Sequence, residues 1–225
     1  MGRVSSNVPD SRLEIIYHPD KFAEGVRILM LTTRSKEGGR TNNPDRQKTN
    51  KKYVTRNKDE YYEKLDELIC KMTPQQRIYS TVDDRNLDRA EREFKFRLLE
   101  SDYYDDESRH SFYIDVWNRW ISCLQSPPAR NSQHFLFDID NDGDNDNVDV
   151  NTLFGVLNSL GVNPYVYETK NGHHVVCDPF NPKLINAMNA KPQKNAMLLV
   201  AYYNNYIPVK VAEEPQPLQE YNGRT

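Results

Sequence analysis

The hydrophobic pattern along the chain changes period several times, and each change marks an element. Arg12–Tyr17 and Val26–Thr33 are short runs of apolar and β-branched residues and read as strands, with Lys52–Thr55 as a further short one. Tyr61, Leu65, Leu68 and Met72 then recur at helical spacing behind Asn57, an N-cap residue with Glu60 three positions on as its capping-box partner, and Pro74 ends the segment. Arg77–Val82 is strand-like. Leu87, Ala90, Phe94 and Leu98 predict a helix from about Asp84 to Asp102. Phe112, Val116, Trp120 and Cys123 or Leu124 predict another, from about Glu107 to Leu124, stopped by Pro127-Pro128. Aromatics at that spacing form a packed stripe more readily than a ligand cage.

The second half is easier to read. Gln133–Asp140 alternates as a strand, and Val150–Leu160 is helical with Gly161 as its stop. Tyr165–Thr169 and His174–Asp178 flank the Asn171-Gly172 pair, the strongest short hairpin signal. A short helix at Pro182–Ala190 and a last strand at Met197–Tyr203 complete a β-α-β-β-α-β order. That order predicts an α+β fold with a ferredoxin-like, RRM-like sheet: first and third strands central, two helices on one face, the other face open. The predicted division is an N-terminal α/β module (1–130), the RRM-like unit (131–207) and a tail (208–225).

Composition adds boundaries. With 225 residues, 37% of them hydrophobic, the chain is long enough for a real core, while a mean hydropathy of −0.86 predicts long polar loops. No run of 18 apolar residues exists, and the N-terminus carries no apolar stretch resembling a secretory signal. Cys70, Cys123 and Cys177 are scattered, which suits reduced thiols. The expectation is a cytoplasmic protein without membrane contacts.

The net charge of −3 hides a separation of charge. Between Arg34 and Lys58 stand nine Lys or Arg (Arg34, Lys36, Arg40, Arg46, Lys48, Lys51, Lys52, Arg56, Lys58) against only Glu37 and Asp45. Such a stretch either tracks a polyanion, with Arg34, Lys36, Arg40, Lys48, Lys51 and Lys52 as candidate phosphate contacts, or is a solvated loop. Between Asp138 and Asp149 stand six aspartates and no base. Strand alternation points Asp138 and Asp140 the same way, about 7 Å apart, and away from Phe135, Phe137 and Ile139. Two carboxylates so close repel unless a cation lies between them. The returning strand brings His174 to the same face.

Two other readings of the acidic segment stand beside this one. Asp138, Asp140, Asp142, Gly143, Asp144, Asp146 and Asp149 nearly satisfy a calcium-loop pattern, although a strand rather than a helix leads in and position twelve is Asp instead of Glu. Asn141–Asn147 also reads as a polar turn. Serine or cysteine nucleophile chemistry finds no motif context.

The acidic strand, the following helix and the segment Thr169-Lys170-Asn171-Gly172-His173-His174-Val175-Val176 together resemble the palm of the archaeo-eukaryotic primase superfamily, over roughly Gln133 to Tyr203. The resemblance implies that Asp138 and Asp140 ligate Mg2+ or Mn2+, that Thr169, Lys170, Gly172 and His174 meet the phosphates of an NTP or dNTP, and that Asp138, Asp140 and His174 are catalytic. It further implies DNA or RNA, and a replication or other protein, as partners. The family's third acid belongs on the last palm strand, and Met197–Tyr203 has none. Glu168 or Asp178 is the substitute near the hairpin. The expected function is therefore a primase-like nucleotidyltransferase, with a catalytically idle relative that holds nucleic acid, nucleotide or protein as the alternative, and a calcium-binding module as the third.

Overall fold

The computed structural model describes residues 25–34, 47–73, 76–104, 106–140, 148–169, 172–188 and 190–202. The expected strand at Arg12–Tyr17 and the tail beyond 208 lie outside these residues.

The chain is a mixed α+β fold with two antiparallel four-stranded sheets. Strands β1 (Arg27–Arg34) and β2 (Gln47–Thr55) pair directly, and β2 begins earlier than its apolar residues suggest because its polar N-terminal half is held by the ladder to β1. Helix α1 (Lys58–Lys71) starts where its N-cap places it. Asn57 Oδ1 accepts from the Glu60 amide at 2.9 Å, and Glu60 Oε2 accepts from the Arg56 amide at 2.9 Å, one residue upstream of the usual capping-box donor. Strand β3 (Gln76–Thr81) follows.

Helix α2 (Leu87–Tyr104) begins later than its charged leader implies. Asp83, Asp84 and Arg85 are buried, and the backbone of Arg85 bridges Val26 on one side and Arg130 on the other, so these residues belong to the core. The single helix expected over 107–124 is two, α3 (Asp106–Ile114) and α4 (Val116–Gln125), broken at Asp115. The break turns Val116 outward, 42% exposed, whereas Phe112 and Trp120 pack on Phe94 as part of the core.

The first sheet has the order β2-β1-β3-β8 and the second β5-β6-β4-β7, where β4 is Phe135–Asp140, β5 Tyr165–Glu168, β6 Gly172–Cys177, β7 Gln193–Lys194 and β8 Met197–Tyr202. Helix α5 (Val150–Ser159) lies between β4 and β5 in sequence, and its C-terminus turns at Gly161, whose φ of 70° is left-handed and suits glycine. The first and third strands of the second half, β4 and β6, are central neighbours. The last one departs from expectation. Met197–Tyr202 leaves that sheet and pairs with β3, so the two-residue β7 takes the fourth place and residues 131–207 contribute to both sheets.

The expected open face is partly closed for the same reason. Phe135, Phe137, Val175 and Cys177 pack against Leu153 and Leu157 of α5 and Ile185 of the 3₁₀ helix Pro182–Met188. On the other face, Leu136, Tyr167 and Val176 meet Leu199 and Tyr202 of β8, with Tyr79 alongside. The two sheets thus share a seam, and Tyr202 is buried in it.

Candidate functional site

Register positions the acidic residues. In the β4–β6 ladder Leu136 faces Val176, Asp138 faces His174 and Asp140 faces Gly172, while His174 also faces Tyr167 of β5. Leu136, Val176 and Tyr167 are in the seam, so the same face carries the chain from apolar seam to polar rim within four residues of β4. Asp138 and Asp140 are exposed on that rim. His174 is 6% exposed. Its Nε2 lies 3.2 Å from Asp138 Oδ1, and its Nδ1 is buried without a hydrogen-bond partner.

The hairpin is closed by the Thr169 amide donating to the Gly172 carbonyl at 2.8 Å; Lys170 and Asn171, between them, lie outside the described residues. Gly172 is required by close approach. A Cβ there would come within 1.8 Å of the Ile139 carbonyl oxygen, so a side chain would force β6 away from β4 next to Asp140.

The two acids that sequence offered as substitutes sit elsewhere. Glu168 is opposite His173, with Ile139 beyond it, on the helix-covered side of the ladder. Asp178 follows β6 four residues past His174, about 13 Å along a strand. Its carboxylate accepts from Asn163 Nδ2 at 2.8 Å and lies 3.4 Å from His134 Nε2. Strand β7 pairs only with Phe135 and Leu136, so it brings nothing to the acidic end. Among the described residues no three His, Cys, Asp or Glu side chains converge as a cation cage. Asp142, Asp144 and Asp146 lie outside the described residues. Asp149, the twelfth position of the calcium pattern, caps α5 instead: its Oδ2 accepts from the Thr152 amide at 2.9 Å and the Thr152 hydroxyl at 2.7 Å, which holds its carboxyl below the ordinary range.

Alternation also divides the basic residues. Lys51 lies opposite Leu31, on the face that α1 covers, and its ammonium bonds Glu67 at 3.0 Å. Lys52 lies opposite Met30, on the face that α4 covers, where burial pushes its ammonium down against the pull of Asp115. These two lysines do not form one phosphate-tracking surface. Lys36 and Arg40, and the side chains of Arg34 and Lys48, lie outside the described residues.

A second polar cluster was not anticipated. Asp83, 1% exposed, accepts at Oδ1 from Ser132 Oγ at 2.8 Å, from the His134 amide at 3.0 Å and from His134 Nδ1 at 2.8 Å, with Arg130 Nη1 3.5 Å from its other oxygen. His134 then reaches Asp178, which ties the end of β3 to the end of β6. Next to it, Asp84 holds Arg27 Nε at 2.6 Å. The sequence signal was the charged triplet Asp83-Asp84-Arg85 at the end of an apolar strand. Beside this cluster a cavity of about 40 Å³ opens between the sheets, lined by Arg27, Ser80, His134, Tyr165 and Tyr167 among others. It has room for about three waters and not for a nucleotide.

No helix among the described residues is long and apolar enough to cross a membrane. No family model, no curated protein and no solved structure matches this chain.

Proposed function

We propose that the rim of the second sheet is a primase-like, RRM-type palm that binds a divalent cation together with a nucleoside triphosphate, and that the protein is a nucleotidyltransferase acting on DNA or RNA. The observation that carries this reading is the register of β4 and β6, which gathers two same-face carboxylates and a histidine at one polar strand end. Asp138 and Asp140 fit Mg2+ or Mn2+: hard oxygen donors, exposed, with a spacing that leaves room for a cation and phosphate oxygens between them. The cation would supply charge neutralisation at the phosphates and polarisation of the attacked phosphorus. The residues' own part is to hold and orient. The two acids fix where the triphosphate sits on the rim, and the backbone bond from the Thr169 amide to the Gly172 carbonyl closes the strand ends beside them.

The test is Mn2+- or Mg2+-dependent incorporation of labelled NTP or dNTP on a primed template. Incorporation by the natural chain that drops at least about a hundredfold in Asp138→Asn and Asp140→Asn supports the reading. Absence of incorporation with both metals and both sugars overturns it.

One observation favours a catalytically idle relative as the second reading: Met197–Tyr202, where the family places its third acid, pairs with β3 and carries no carboxylate. Such a protein binds the triphosphate in a cation-dependent way yet incorporates nothing.

A further inference from the structure

We propose that His174 is a positioning residue that fixes the Asp138 carboxylate for the cation, and not a contact to the triphosphate. The inference rests on the reading of Asp138 and Asp140 as cation ligands.

Burial is the first argument. His174 sits in the middle of a three-strand register, between Asp138 on β4 and Tyr167 on β5, and Tyr167 is itself buried. A ring that touches a phosphate must present a nitrogen to solvent. Here Nδ1 is enclosed and Nε2 is turned to Asp138 Oδ1 at 3.2 Å, so the nitrogen nearer the rim already has a carboxylate in front of it.

The cost of the arrangement is the second. With Nε2 3.2 Å from Asp138 Oδ1, Nδ1 is left as a buried nitrogen that meets no partner. A leucine would fill the seam without that orphan, so packing alone does not account for the imidazole. What it adds is a polar contact to Asp138. An aspartate's χ2 is soft and nearly two-fold. A buried ring beside one oxygen narrows that softness and helps aim the carboxylate before a cation arrives, as outer groups do for ligands in metal sites generally. Asp140 faces Gly172 and gets no such cross-strand help. Among the described residues the pair is thus asymmetric: Asp138 has an imidazole beside it and Asp140 faces a glycine.

The experiment measures Mn2+ binding to the full chain, without nucleotide, by electron paramagnetic resonance of the free ion. His174→Leu keeps volume and removes the donor; His174→Gln keeps an N–H near the Nε2 position. We expect His174→Leu to bind Mn2+ about tenfold more weakly and His174→Gln to stay within about threefold of the natural chain. Binding of a fluorescent nucleoside triphosphate in EDTA should be the same in all three. Urea midpoints check folding, and if His174→Leu fails to fold, His174→Asn, whose shorter amide stops short of Asp138, should show the same tenfold loss. Unchanged Mn2+ affinity in the donor-free variants, or a fall in metal-free triphosphate binding, overturns the inference while leaving the cation site standing. No saturable Mn2+ binding by the natural chain, or none lost on Asp140→Asn, overturns the cation site and the inference with it.

Discussion

Replacing Asp83 with alanine should be among the most damaging single changes in this chain, although the residue is nowhere near the rim. The carboxylate is buried and receives three hydrogen bonds, from Ser132, the His134 amide and the His134 ring, with Arg130 beside it. Removing it takes the carboxylate from beside the Arg130 guanidinium and leaves the Ser132 hydroxyl and the His134 amide without their acceptor, and one-sided removal of a buried ion partner costs about 3–5 kcal/mol. In a chain of this size each kcal/mol moves Tm by about 2–4 °C, so Asp83→Ala should melt roughly 6–20 °C lower at pH 7. The pH dependence has a definite sign. Burial raises the Asp83 carboxyl, but the hydrogen bonds from His134 and Ser132 outweigh it and hold it below the ordinary range. A depressed folded value means stability that is full above the unfolded pKa of about 3.9 and is lost as pH falls through the folded one. Asp84 has the opposite sign: burial outweighs Arg27 and raises its carboxyl, so its ionisation opposes folding increasingly as pH climbs above about 3.9. Urea midpoints of the natural chain and Asp83→Ala should therefore converge below about pH 4. A Tm difference under about 3 °C at pH 7, or a gap that persists undiminished at pH 3, would refute the account.

Gly172→Ala should lower stability by about 1–3 kcal/mol in urea titrations and weaken Mn2+ binding as well, because its Cβ meets the Ile139 carbonyl at 1.8 Å and pushes apart the strands that carry Asp138 and His174; an unchanged urea midpoint would show that β4 yields freely. Thiol labelling at pH 8 should find one fast cysteine, the exposed Cys70, and three in denaturant, since Cys177 is pushed up to about 12 and Cys123 is also raised, both by burial. Fast labelling of a second thiol in the native chain would contradict that.

Much of the fold was legible where local signals agree. Asn57 and Glu60 start α1, Gly161 stops α5, and alternation in Phe135–Asp140 sorts aromatics to the helix side and aspartates to the rim. Legibility failed where pairing partners decide. The apolar run of β8 names no partner strand, and nothing in Asp83-Asp84-Arg85 says that these charges are buried, because that depends on Ser132, Arg130 and His134 about fifty residues away. The α3–α4 break was hidden because Val116 continues the helical spacing of Phe112 and Trp120, while only the turn at Asp115 shifts it outward. In the candidate site, the Asp138–His174 register followed from strand order, but the burial of His174 depends on the seam with β8.

The move of β8 has a physical reason that bears on the chemistry. Met197–Tyr202 is apolar throughout, and such a run needs cover on both faces. It finds this beside β3, where Val200 and Ala201 pack toward α1 while Leu199 and Tyr202 close the seam. At the edge of β4 the same strand would have ended beside the acidic rim, with one apolar face in water. The polar Gln193–Lys194 takes that edge instead, short and charged, as exposed edges favour. The rim of the second sheet carries Asp138 and Asp140, and on the reading proposed above the strand expected to hold a third acid lies in the other sheet. Two carboxylates are too few for an all-protein cage around Mg2+, yet that ion is commonly held by one or two carboxylates with phosphate oxygens and water completing its shell. On the proposed reading, a two-acid rim with an imidazole beside Asp138 therefore suits a cation that arrives with its triphosphate better than one permanently resident.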